Sequence, residues 1–169
     1  MLNAGELWLL RHAKSDGSQH LADFERPLNA RGQKAATQLG IWLKSQRLNP
    51  QRIVASPAVR ARETIDRVCQ AAHWPEAWLT FDRRLYEADL NRLYQILADH
   101  ARPGQILLLV GHNPGLEMLL HDLVQDPELQ DMDKPMPTAA LARLTITQPI
   151  TPGSVAKYTV IRVKSLPYS

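Results

Sequence analysis

The stretch Leu7–Ser15, LWLLRHAKS, begins with four continuous apolar residues and then runs straight into Arg11 and His12. An unbroken apolar run of this length suits a strand covered on both faces, as in a parallel sheet, better than one with a wetted face. A permanent cation and an imidazole at its end are costly to bury unless they are put to use. Three later runs read as buried strands as well: RIVAS (52–56), WLTFD (78–82) and QILLLVGH (105–112).

Helical patterns separate these runs. NARGQKAATQLGIWLKSQR carries Ala35, Leu39, Trp42 and Leu43 at helix spacing, with Asn29 placed as the N-cap. The next segment, AVRARETIDRVCQAAHW, aligns Ile65, Val68 and Ala72, and LNRLYQILADHA aligns Leu93, Ile96 and Leu97. GLEMLLHDLV follows the fourth strand directly. AALARLTI and VAKYTVIRV predict two further strands, antiparallel at the sheet edge, and QDPELQDMDKPMPT (125–138) reads as a polar, proline-bearing loop beside the active edge. The alternation predicts an α/β fold: one domain over residues 1–169, a three-layer sandwich with a mostly parallel central sheet flanked by helices.

Composition narrows the function classes. The chain has 169 residues, 44% hydrophobic and 22% charged, with a net charge of +3. That excess is small, and no basic stripe interleaved with aromatics is present, which argues against a nucleic-acid partner. No stretch approaches the roughly 20 apolar residues of a membrane span. The N-terminal apolar run is too short for a signal sequence, so the expected location is cytoplasmic. Cys69 is the only cysteine and reads as a small core residue. His20, His73, His100 and His121 lack the paired spacing of metal ligands, so neither metal nor cofactor is expected. Trp8, Trp42, Trp74 and Trp78 read as packing residues.

In open α/β sheets, ligands sit outside the carboxyl ends of the strands. Arg11 and His12 follow the first strand; SPAVRARET, with Arg60 and Arg62, the second; RRLYEAD, with Glu87 and Asp89, the third; and GHNPG, with His112, the fourth. Guanidiniums bind a phosphoryl group through forked, charge-assisted hydrogen bonds. A neutral imidazole can attack phosphorus and carry the group covalently, a second, protonated histidine can stabilise the transferring oxygens, and a carboxylic acid can protonate the leaving group.

LRHAKS, SPAVRARET and GHNPG resemble, in order, the three signature segments of the histidine phosphatase superfamily, which includes the phosphoglycerate mutases. RHAKS followed by ERPLNARG is most similar to its small phosphohistidine phosphatase, SixA-like, branch. The usual Arg-His-Gly is Arg-His-Ala here, with Ala13 in the third place. The resemblance implies that His12 is the phosphorylated nucleophile and that Arg11, Arg60 and His112 form the phosphate pocket. Arg60 holds the family position in SPxxRxxxT, and Arg62 does not. Ser15 and Asn113, beside the motif residues, are expected to bind substrate, and Arg26 and Pro27 to shape the entrance. Glu87 is the expected general acid, with Asp16 and Asp23 as alternatives. The implied activity is a metal-independent phosphatase acting on protein phosphohistidine, with a phosphorylated partner such as a histidine phosphotransfer domain. A phosphatase of small phosphate esters and a non-catalytic phosphate-recognising module are the rival readings.

Overall fold

Side chains along the first strand alternate between two cores, and that alternation builds the layers. Trp8 and Leu10 join one cluster, and Leu7 and Leu9 join the other. The computed structural model describes residues 5–147 and 149–167. Strands β1 (Gly5–Arg11), β2 (Arg52–Ala55), β3 (Leu79–Phe81) and β4 (Ile106–Gly111) pair in parallel in the order β3-β2-β4-β1. β5 (Leu141–Ile146) then pairs antiparallel with β1, and β6 (Val155–Ile161) antiparallel with β5, completing a six-stranded sheet.

Helices α1 (Ala30–Ser45) and α2 (Val59–Ala72) cover one face, where Leu39, Leu43, Ile65 and Val68 pack against Trp8, Ile53 and Leu108. Helices α3 (Leu90–His100) and α4 (Gly115–Val124) cover the other, where Leu93, Ile96, Leu119 and Leu120 meet Leu9, Val54 and Leu109. Each such side chain taken fully from water contributes about 1.5–3 kcal/mol. Asn29 caps α1 as expected, its side chain accepting from the Gly32 amide, and Asp89 caps α3 by accepting from the Arg92 amide.

Two local expectations need correction. WLTFD is not a buried strand: β3 has only three residues, pairs with β2 alone and leaves Phe81 39% exposed. An edge strand with one neighbour has too little cover to bury both faces. The 125–138 segment is not all loop, because Asp126 caps the short helix α5 (Pro127–Gln130). Trp8 and Trp74 are buried against each other, and Cys69 lies buried in the same core.

Register puts the motif segments on one rim. Arg11 lies opposite Gly111, and Ala55 opposite Val110. The residues that follow these strand ends, His12, Ser56 and His112, therefore emerge side by side.

Candidate active site

The backbone of His12 is held on both sides. Its amide donates to the Gly111 carbonyl at 3.1 Å, and its carbonyl accepts from the Ala139 amide at 3.1 Å. The ring Nδ1 lies 2.7 Å from the Ala13 carbonyl. A carbonyl only accepts, so Nδ1 carries the proton and Nε2 keeps its lone pair. Burial, followed by the nearby Arg60, Arg11 and Arg26 charges, lowers the His12 pKa to about 4, so the ring is neutral at neutral pH.

Arg60 is buried, and its Nε donates toward His12 Nε2 at 3.4 Å. Thr64, one helical turn later, joins the two segments: its hydroxyl donates to the Arg60 carbonyl at 2.6 Å and accepts the Ala13 amide at 2.9 Å. Arg11 donates to the Met136 carbonyl at 3.1 Å, so the 125–138 segment forms part of the site wall. Burial lowers the Arg11 pKa, and the nearby Glu117 opposes that shift.

The ring of His112 lies 5.2 Å from that of His12 between centroids, and its Nε2 is 2.8 Å from Ser56 Oγ. Ser56 Oγ also accepts the Ala58 amide, and His112 Nδ1 is buried without a partner. The sequence reading gives this second histidine a proton, and its surroundings oppose one. Burial, then His12 and Arg60, lowers the His112 pKa to about 3. A neutral N–H still donates.

Arg11, His12, Arg60 and His112 line a cavity of about 790 Å³ together with Lys14, Ser15, Asp23, Arg26, Tyr86, Glu87 and Asn113. Asn113 donates to the Met136 carbonyl at 3.1 Å, while its own carbonyl oxygen is buried and unpaired. The Arg11 Nε is also buried without a partner.

ERPLNARG packs against RHAKS for a steric reason. Ser15 pairs with Leu28, the Asp16 amide donates to the Pro27 carbonyl, and the Asn29 amide donates to the Lys14 carbonyl. A side chain at Gly32 would overlap the Lys14 carbonyl. Glu63 of the second motif accepts the Leu28 amide at 2.7 Å and ties this return segment to α2. Arg26 reaches back to Ser15 Oγ at 2.9 Å.

The three carboxylates considered as acids sit differently. Asp16 is spent on Ser18, and the cavity lining does not include it. Asp23 lines the cavity, but its pKa is lowered to about 2 by the Tyr86 hydroxyl, Arg60 and Arg26, so at rest it is an anion rather than an acid. Glu87 lines the cavity exposed, at a left-handed residue (φ 55°) that turns the chain toward the cap of α3. Arg62 is exposed over the Phe81 ring, outside the cavity lining. Among the described residues no group of three or more His, Cys, Asp or Glu side chains is arranged to hold a metal, and no helix is long and apolar enough to cross a membrane.

Sequence reasoning passed over Ser56, Glu63, Thr64 and Tyr86. Thr64 was visible as the last position of SPxxRxxxT, and Tyr86 as the aromatic preceding Glu87. Ser56 and Glu63 stood inside the quoted motif without a role, since their partners are 56 and 35 residues away.

A family model described as Histidine phosphatase superfamily (branch 1) matches residues 7–102. A candidate phosphohistidine phosphatase SixA from Agrobacterium tumefaciens has a solved structure that is 25% identical, with 94% of this chain and 96% of that one covered and a TM-score of 0.76. The protein histidine phosphatase SixA complexed with tungstate shares the fold at 21% identity, 93% and 94% coverage and a TM-score of 0.70. So does a mycobacterial glucosyl-3-phosphoglycerate phosphatase, at 17% identity, 94% and 97% coverage and a TM-score of 0.64.

Proposed function

The chain belongs to the histidine phosphatase superfamily, branch 1, and on that premise we propose that it is a metal-independent phosphatase that cleaves protein phosphohistidine through a phospho-His12 intermediate. One observation carries the reading: His12 presents an unprotonated Nε2 beside Arg60, because its Nδ1 proton is committed to the Ala13 carbonyl.

In this mechanism, Arg11, Arg60 and His112 hold the phosphoryl oxygens with Ser15 and Asn113 at the margin. Nε2 attacks phosphorus in line as the P–N or P–O bond to the leaving group breaks. Water then attacks the phospho-His12, releasing phosphate and regenerating the neutral ring. The donors stand ready before the charge develops, which is where electrostatic stabilisation is largest. The guanidiniums supply the positive charge that a metal would otherwise bring. Glu87 is the wall carboxylate assigned to protonate an ester oxygen, since Asp23 holds two arginines and Asp89 caps α3. A departing imidazole needs less help, because it takes up a proton readily near neutral pH.

The likeness to SixA structures supports the phosphohistidine substrate, and the physiological partner in this reading is a phosphorylated protein such as a histidine phosphotransfer domain. The likeness to a sugar-phosphoglycerate phosphatase keeps a small phosphate ester as the second reading. A substrate panel separates them. With EDTA present throughout, a phosphohistidine protein should be turned over faster, by kcat/KM, than sugar phosphates. Faster sugar-phosphate turnover would favour the second reading, and activity lost to EDTA and restored by a divalent ion would remove metal independence.

A further inference from the structure

Asp23 is bonded by three residues from three separate segments. One of its carboxylate oxygens accepts Arg60 Nη2 at 3.0 Å and the Tyr86 hydroxyl at 2.6 Å. The other accepts Arg26 Nε at 3.0 Å, with Arg26 Nη2 paired to it as an ion at the same distance. The Asp23 backbone carbonyl takes Arg60 Nη1 at 2.6 Å. Arg60 is thus gripped along one edge by a single residue while its Nε points at the nucleophile. Arg26 and Arg60 carry like charges that would push apart without an anion between them. The Tyr86 ring, packed edge-on against Phe24 at 5.0 Å and His112 at 5.5 Å, fixes the third donor.

We infer that Asp23 is a positioning residue: it sets the spacing of Arg26 and Arg60 and, through Arg60, the path by which a phosphoryl group meets His12 Nε2. This rests on the reading of His12 as nucleophile. The carboxylate is fully engaged by cations and a hydroxyl, which fits an orienting role better than a proton donor. A guanidinium fork confers geometry as well as charge, so loosening it harms the transition state more than the bound ground state.

The test compares Asp23→Ala and Asp23→Asn with the parent chain, using an aryl phosphate with a good leaving group and, beside it, an alkyl phosphate. Misplacement on the scale of an ångström can cost about a hundredfold, so kcat should fall by roughly ten- to a hundredfold in Asp23→Ala. Asp23→Asn, which retains an acceptor oxygen, should lie between. Inhibition by vanadate, which mimics the five-coordinate transition state, should weaken in step with kcat/KM. Inhibition by inorganic phosphate should move by less than about threefold, since uniform binding is not what is lost. Tyr86→Phe, which leaves both arginines on Asp23, should give the same pattern on a smaller scale and serves if Asp23→Ala fails to fold. Tighter phosphate and vanadate binding with faster turnover would overturn the inference, making Asp23 a competing anion. So would equal weakening of both inhibitors, or a loss confined to alkyl esters, which would make Asp23 the acid. Trapping phosphate on His12 of the parent chain, from the same aryl phosphate, is a separate readout: its failure strikes the functional reading itself.

Discussion

The floor of the cavity and its outer wall are built by different means. The floor residues Arg11, His12, Arg60 and His112 stand at strand ends and on the first turn of α2, with His12 clamped by backbone bonds to Gly111 and Ala139. The wall is formed by the one-turn Asp23–Glu25 segment and by Tyr86, Glu87 and Asp89, where Asp23 and Glu87 are exposed and side-chain bonds provide the cohesion. Rigid elements hold reacting atoms more closely than loops do. In the proposed mechanism this difference gives the transfer step to the floor, while the wall holds the floor's arginine in place through Asp23 and meets the leaving group through Glu87.

The largest effects should therefore come from the floor. His12→Ala is expected to abolish turnover and the acid-labile, base-stable phosphate trapped by rapid quench; label persisting in that variant would move the nucleophile elsewhere. Arg11→Ala, Arg60→Ala and His112→Ala should each lower kcat by about two to three orders of magnitude, the scale of one preorganised donor. A near-parental rate for any of them would take that residue out of the floor.

A second expectation concerns pH. His12 and His112, lowered to about 4 and about 3, stay neutral well below the usual histidine range. The acidic limb of kcat/KM, corrected for the substrate's own ionisation, should fall near 4 rather than near 6.5. In the unfolded chain both histidines take up protons near their ordinary value of about 6.5, while the folded chain resists. Stability should therefore decline as pH falls from about 6.5 toward 4, measurable by urea denaturation at each pH. A decline confined to below pH 4 would implicate the carboxylates instead, since Asp23 titrates near 2.

The smallest and most selective effect should come from the wall. Glu87→Gln is expected to slow an alkyl phosphate by about a hundredfold, the usual worth of an acid for a poor leaving group, and an activated aryl phosphate or a phosphohistidine protein by far less. Equal, small losses on all three would reduce Glu87 to a surface residue and erase the contrast between floor and wall.

Local pattern makes the floor legible. Continuous apolar runs ending in Arg11–His12 and in Gly111–His112 read as covered strands, and the rule that ligands sit at their carboxyl ends then groups the motif residues. Helix spacing located Leu39, Ile65, Val68, Leu93 and Ile96, all of which are buried. The short β3 misled, because an apolar run does not reveal how many neighbours its strand will have.

What the amino-acid sequence by itself determined is the order of strands and helices, because periodicity is a property of neighbouring positions; strand-end chemistry gathered the candidate residues, and the resemblance to the family separated Arg60 from Arg62. Only the tertiary structure decided the states of those residues. The proton on His12 Nδ1 follows from where the Ala13 carbonyl lies, the neutral His112 from burial beside His12 and Arg60, and the anionic Asp23 from Tyr86, 63 residues further along the chain. Charge state depends on desolvation and on groups brought within a few ångströms by folding, and that proximity is not written in any local stretch.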